Sequence, residues 1–349
     1  MPRPRESGLA KLGLDLAAAD INAAGGILGR PVEVIYRDDT TKGEIAVQVT
    51  RKVVEEDGVL AVVGPFTSQS VRAMVPVLAG LKTPLLYATN YEGGLCNRYM
   101  FSLSTVPNQE LASLLPYMTE IFGKDYFLLG ADRDWPHQMF DAAEPLIAKL
   151  GGKVVGKRYT LGLESDTAPL IDAVVASKAK VLLFAIKGPG IQFIPQADGL
   201  GLFKQMAVAY LGLSEADLKL FGGKADNMYA AVPFVAASDD PKVMAFVAKA
   251  RAKAGPDVAI SNYVVTHYNT LIAIKAAIEK AGKVDKEALV DALVDLTILT
   301  PTGPLTIGKD HHATLNMFLA KTRGLDLVQV RAFGEIAPVS GCKPEAFGR

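Results

Sequence analysis

Residues 41–87 read TKGEIAVQVTRKVVEEDGVLAVVGPFTSQSVRAMVPVLAGLKTPLLY. This stretch predicts a helix over 41–57, the short apolar strand Val59–Val63, a second helix over 69–81 and the strand Pro84–Tyr87. Helices alternating with short, wholly apolar strands mean parallel βαβ units, because a strand covered by helices on both faces has no reason to alternate polar and apolar positions. The fold class is therefore α/β, with a doubly wound parallel sheet.

The pattern extends both ways. Upstream, residues 8–23 place Leu9, Leu12, Leu16, Ala19 and Ile21 near one helical face, with Ser7 as N-cap and Gly25-Gly26 closing the helix. Pro31–Tyr36 then reads as a strand running into Asp38-Asp39. Downstream the series restarts after residue 103. Helices at 109–122, 136–150 and 167–178 lead to strands at 126–129, 153–159 and 181–185, a segment at 189–201 leads to a strand at 207–211, and the strand 228–234 closes the run. Residues 240–296 are mainly helical (240–254, 262–281, 285–296), and 303–331 read as short strands and turns. No low-complexity linker separates the halves. Two doubly wound lobes joined by short crossings around a ligand cleft are expected, with ligands outside the carboxyl ends of the strands.

Composition removes several function classes. The 349 residues carry 37 Lys+Arg against 37 Asp+Glu, which leaves no long-range attraction to nucleic acid or an anionic membrane surface. Half the residues are apolar and 21% charged, as a chain with a large core requires. No apolar run reaches the roughly 18 residues of a membrane span. The start, Met-Pro-Arg-Pro-Arg-Glu-Ser, has no signal-peptide apolar region, so either the protein stays in the cytoplasm or its signal peptide is not part of this sequence. The two cysteines, Cys96 and Cys342, sit in polar loops and form either one long-range bridge or two free thiols.

Catalytic motifs are missing. There is no Gly-x-Ser-x-Gly elbow, phosphate loop or His-Glu-x-x-His, and Gly188-Pro-Gly190 is not a dinucleotide fingerprint. His311-His312 reads as a solvated turn, and His137 and His267 as isolated surface or core residues. Neither an enzyme, a metal site nor a cofactor is expected. The notable residues lie at the carboxyl ends of strands. Gly64-Pro-Phe-Thr-Ser68 follows the strand 59–63 and opens a helix, so Thr67 or Ser68 caps it, cradles a ligand oxygen, or does both. Tyr87-Ala88-Thr89-Asn90-Tyr91 follows 84–87, and its hydroxyls, amide and rings are suited to hold a small polar ligand, which makes Tyr87, Ala88 and Thr89 candidate ligand-binding residues. Trp135, the chain's one tryptophan, lies in the polar loop after 126–129 and reads as a cleft wall.

Ala18-Ala-Asp-Ile-Asn-Ala-Ala-Gly-Gly-Ile-Leu-Gly-Arg-Pro-Val-Glu-Val, with Asp38-Asp39 after it, closely resembles the opening of the branched-chain amino acid (Leu/Ile/Val-type) solute-binding proteins of ABC importers. Val63-Gly-Pro, Thr83-Pro-Leu, Pro107-Asn-Gln and Pro301-Thr-Gly-Pro-Leu carry the resemblance essentially end to end. It implies the type I periplasmic binding protein fold. Asn90-Tyr-Glu-Gly93, Val106-Pro-Asn-Gln109, Leu213-Ser-Glu-Ala216 and Lys309-Asp-His-His312 look more like the amide- and urea-binding branch, which includes importer receptors and a cytoplasmic amide sensor. The family begins with a strand ahead of the loop that Glu6-Ser-Gly8 resembles, whereas this chain enters at that loop.

By that resemblance, Ser68 and Thr89 hydrogen-bond the ligand, Tyr87 and Trp135 wall it, and Ser214 touches it from the second lobe. Amino-acid-binding members place a carboxylate near what is here Gly222-Gly-Lys224, which supplies none, although Asp226 is close. Without it a solute ammonium would be buried unpaired, so amides or urea are favoured over free amino acids. Lys187 either points to the ligand, favouring anionic or carbonyl-rich solutes, or is solvated. The lobes are expected at 1–103 plus 235–317 and at 104–234 plus 318–349, with hinge crossings near 103–107, 232–236 and 316–320. The implied protein is a periplasmic monomer that closes on a small polar solute and delivers it to ABC permease subunits. It would bind no nucleic acid and meet the membrane only through the permease. A cytoplasmic sensor, an amino-acid receptor and an α/β enzyme are the rivals.

Overall fold

The computed structural model describes residues 5–161, 167–187, 192–223 and 227–347. In chain order the helices are α1 (Arg5–Ala23), α2 (Gly43–Glu55), α3 (Ser68–Gly80), α4 (Pro107–Ile121), α5 (Asp134–Lys149), α6 (Ala168–Ala176), α7 (Phe193–Gly199), α8 (Glu215–Leu220), α9 (Pro241–Ala254), α10 (Asn262–Ala281) and α11 (Lys286–Leu293). The strands are β1 (Val62–Val63), β2 (Leu85–Tyr87), β3 (Met100–Ser102), β4 (Asp125–Ala131), β5 (Lys153–Thr160), β6 (Val181–Ala185), β7 (Ala207–Tyr210), β8 (Met228–Val232), β9 (Leu296–Thr300), β10 (Gly303–Ile307), β11 (Ala313–Arg323) and β12 (Asp326–Ile336). No described helix is long and apolar enough to cross a membrane.

Two compact units result. The first holds residues 1–106, 245–316 and 335–349; the second holds 107–244 and 317–334. In the first, β1, β2 and β3 are parallel in that order, with Val63 opposite Leu86 and Tyr87 opposite Ser102. Val71, Met74, Val75 and Leu78 of α3 pack on Leu85, Tyr87 and Met100. Helices α1 and α10 cross closely because Gly13 has no side chain: a Cβ there would lie 2.2 Å from the Val264 carbonyl oxygen. In the second unit the order is β5-β4-β6-β7-β8, all parallel, then β11 antiparallel to β8, with β12 pairing β11. Every residue of β6, β7 and β8 is buried, as a parallel sheet covered on both faces demands.

Several expectations fail for identifiable reasons. Pro31–Tyr36 joins no ladder: Asn22 brackets Val32 through both its backbone groups, and Tyr36 reaches across to Asp15. Ser7 lies inside α1, which starts at Arg5, rather than capping it. The tail carries two eleven-residue strands, β11 and β12, in place of short pieces. Residues 235–244 belong to the second unit, because Ala237 bridges Val328 and the Ala236 N–H donates to Glu215. Residues 335–347 belong to the first unit, not the second. Cys342 is bonded to Cys96 across a Cα separation of 5.3 Å, the Gly94 N–H donates to the Ser340 carbonyl, and Ser340 Oγ donates to Asp310. The chain thus passes between units after Val106, Met244, Asn316 and Gly334.

Candidate functional site

In the first unit the polar groups gather at the carboxyl ends of β1 and β2. The chain leaves β1 through Gly64, whose φ of 115° suits only glycine, and reaches the start of α3. Thr67 is the N-cap, its Oγ1 accepting from the Ser70 N–H at 3.2 Å. Ser68 is the first helical residue and so is released from capping. Its hydroxyl donates to Glu92 Oε2 at 2.7 Å. Arg72, one turn further along α3, donates through both Nε and a terminal nitrogen to Glu92 Oε1. The Glu92 side chain is wholly buried, whereas that of Arg72 is 36% exposed.

Tyr87 closes β2 with its hydroxyl donating to the Phe66 carbonyl at 3.0 Å. Burial, reinforced by the Glu92 charge, pushes its pKa far up, against the opposing effect of the Ser68 hydroxyl. Ala88 and Thr89 follow, both buried, and Thr89 Oγ1 has no hydrogen-bond partner. Phe66 meets the Tyr263 ring at 5.5 Å. Beside them Tyr91 bonds His312 Nε2, and His312 Nδ1 bonds the Asp310 carbonyl at 2.6 Å. His311 stacks between Phe101 and Phe347 at 4.1 and 4.2 Å. The solvated turn expected for His311-His312 is therefore wrong: both rings are buried, and burial lowers the His312 pKa. His267 is a core residue, pushed down to about 4 by burial, and His137 is an exposed residue stacked on Tyr159.

In the second unit a similar group forms at the ends of β6 and β7. Ser214 is the N-cap of α8, and its N–H and Oγ donate to Asp217 Oδ2 at 2.8 and 2.9 Å. Lys187, just beyond β6, pairs with the same oxygen and sits 5.5 Å above the Tyr210 ring. Asp217 is 1% exposed. Lys187 is thus neither solvated nor free: a buried carboxylate holds it. Trp135 stands in the first turn of α5, after β4, with its indole N–H buried and unpartnered. Asp226 and Lys224 lie outside the described residues.

The structure brings Ser68 and Tyr87 together, with Ala88 and Thr89 at the same strand end, and it brings Lys187 and Ser214 together through Asp217. The sequence reading missed Glu92, Arg72 and Asp217 as site residues. Ser214-x-x-Asp217 has capping-box spacing and was there to be read. Arg72 lies one helical turn from Ser68, but Glu92 is 24 residues away, and nothing in the Asn90–Gly93 segment ties it to Ser68. Among the described residues no three His, Cys, Asp or Glu side chains form a group able to hold a metal.

A family model described as periplasmic binding protein matches residues 6–325. A leucine-, isoleucine-, valine-, threonine- and alanine-binding protein of Pseudomonas aeruginosa is 25% identical over 314 residues, 88% of this chain and 82% of that protein. An amino acid binding protein of the same organism is 32% identical over 179 residues, so the match spans about half of each chain (49% and 47%). Among solved structures, an ABC-transporter solute binding protein of R. palustris in complex with benzoate superimposes with a TM-score of 0.87 at 17% identity, covering 97% of this chain and 95% of that one.

Proposed function

This chain belongs to the periplasmic binding protein family, whose members are solute-binding components of ABC importers and not enzymes, and from that premise we propose that it captures a small, polar, amide- or urea-like solute. The observation that carries this reading is a pair of orphaned polar atoms. Thr89 Oγ1 and Trp135 Nε1 are buried without partners at strand ends of the two units. A buried polar group without a partner costs about 1–3 kcal/mol. Others, such as Asn262 Oδ1 and Thr266 Oγ1, lie on α10; Thr89 and Trp135 differ in following strands, which supports a solute there. The indole N–H can only donate and asks for a carbonyl; the threonine hydroxyl can donate or accept. An amide carries both kinds of partner, an accepting oxygen and donating N–H groups.

The charges agree with a neutral solute. Asp217, the second-unit carboxylate that Ser214 bonds, is already paired with Lys187, and the nearby Glu110 accepts from the Gly212 N–H. In this reading Ser68 and Thr89 hydrogen-bond the solute, Tyr87 and Ala88 line its seat, Trp135 walls it and Ser214 completes it. Hinge closure around the solute, supported by contacts unavailable in the open form, delivers it to the permease. The Cys96–Cys342 bond supports an extracytoplasmic setting, since such bonds persist in oxidising compartments.

The alternative, an amino-acid receptor, is favoured by what the curated relatives are named for. Thermal unfolding against urea, acetamide, leucine and benzoate separates the readings. A solute at about 100 times its Kd stabilises by about 2.7 kcal/mol. A midpoint raised by acetamide or urea alone is the expected result; one raised by leucine overturns the amide reading.

A further inference from the structure

We propose that Glu92 fixes Ser68 as a hydrogen-bond acceptor toward the solute, so that this position selects an N–H or O–H group and rejects a carboxylate. The inference rests on the reading that Ser68 touches the solute.

A serine hydroxyl has one proton and two lone pairs. Here the proton is committed: Ser68 Oγ lies 2.7 Å from Glu92 Oε2. Whether a solute could draw that proton away depends on what else satisfies Glu92. Both Arg72 donors go to Oε1, so Ser68 is the donor to Oε2, on a side chain with no solvent exposure. Turning the hydroxyl outward would strip a buried carboxylate oxygen of its hydrogen bond, a costly outcome for an ionised group. A solute carboxylate would demand that turn, because carboxylate oxygens accept only. A solute N–H demands no such turn: it needs only a lone pair of the Ser68 oxygen, which donation to Glu92 leaves in place.

The neighbouring hydroxyl adds no free donor. The Tyr87 proton goes to the Phe66 carbonyl, and burial together with the Glu92 charge keeps the phenol protonated. The seat at the ends of β1 and β2 therefore offers accepting oxygens from Ser68 and Tyr87, with Thr89 Oγ1 as the adaptable group. The chemical class it takes is a donor: a urea or carboxamide nitrogen, or a hydroxyl.

The test is calorimetric titration of the full chain with acetamide, urea and benzoate, for the wild type, Glu92→Gln and Ser68→Ala. The wild type should bind the two N–H donors and discriminate against benzoate. In Glu92→Gln the amide can donate to Ser68 Oγ and release the serine proton outward, so the ratio of benzoate to acetamide affinity should rise at least tenfold. An equal loss of affinity for all three solutes would make Glu92 a structural residue only and overturn the proposal, as would tight benzoate binding by the wild type that Ser68→Ala abolishes. If the wild type binds none of the three, the amide reading of function fails, and unfolding midpoints then decide the inference. Ser68→Ala should lower the midpoint more in the wild-type background, where the bond lost is to a buried carboxylate, than in Glu92→Gln, where it is to a neutral amide, whereas equal losses in the two backgrounds overturn it. Should Glu92→Gln not fold, Ser68→Ala alone decides: an unchanged midpoint and unchanged acetamide binding overturn the proposal.

Discussion

Both units place a serine at the start of a helix, aim its hydroxyl at a buried carboxylate and pair that carboxylate with a cation. The two arrangements differ in how the donors are shared. Glu92 divides them, with Arg72 on one oxygen and Ser68 on the other. Asp217 concentrates them: Lys187, the Ser214 N–H and the Ser214 hydroxyl all converge on Oδ2. Ser68 is therefore irreplaceable to its carboxylate oxygen, whereas the Ser214 hydroxyl is one donor of three. A hydroxyl can be fixed in direction or left adaptable by the same combination of serine, carboxylate and cation, depending on which oxygen each donor reaches.

Removing the cations tests this most severely. Arg72→Ala leaves a wholly buried carboxylate with a single hydroxyl donor and should cost about 3 kcal/mol. Lys187→Ala leaves Asp217 two donors from Ser214 and should cost about 1–2 kcal/mol. Denaturant unfolding of the two variants gives the ranking, and equal or reversed losses would break the comparison.

Acidity should divide the units in sign. In the first, burial holds His267 at about 4, below its ordinary 6.5. The unfolded chain takes up that proton first as pH falls, so the stability this group contributes is complete above about 6.5 and lost on the way down to about 4. In the second, burial raises Glu215 from 4.5 to about 7. The unfolded chain releases that proton first as pH rises, so its contribution is complete below about 4.5 and lost on the way up to about 7. Either shift corresponds to about 3 kcal/mol over its window. Native-state hydrogen exchange at pH 5 and pH 7 should show the first unit weakened by acid and the second strengthened. A common direction in both would refute the assignment.

The serines themselves give the smallest effects. Ser68→Ala should cost about 1–3 kcal/mol, through the orphaned Oε2. Ser214→Ala should cost about 1 kcal/mol or less, the usual scale of a lost N-cap. Equal midpoint shifts on thermal unfolding would show that Ser68 is no more tightly bound to its carboxylate than Ser214.

The legibility of the sequence follows the range of the interactions. The alternation of helix and apolar strand over 41–87 and 109–232 is local and was readable, because burial of both sheet faces imprints on every residue of a strand. Pro31–Tyr36 had the composition of a strand, but a strand exists only with a ladder partner, and none of the described residues supplies one. His311-His312 sat in a polar stretch, yet Phe101 and Phe347, distant in sequence, close over the first ring and Tyr91 over the second. The same limit applies at the site. Ser68, Tyr87 and Thr89 follow strands and could be singled out by position alone. Glu92 could not be tied to Ser68, since only the folded chain brings β2 and the turn after it beside the first turn of α3.

The bond between Cys96 and Cys342 spans 246 residues of sequence. Any single backbone cut between those positions therefore yields two pieces that remain one molecule. Proteolysis of this protein should leave the mass of the non-reduced species unchanged but for one added water, and fragments should separate only after a thiol is added. For a protein working outside the cell's reducing interior, a nick becomes a scar and not a severance.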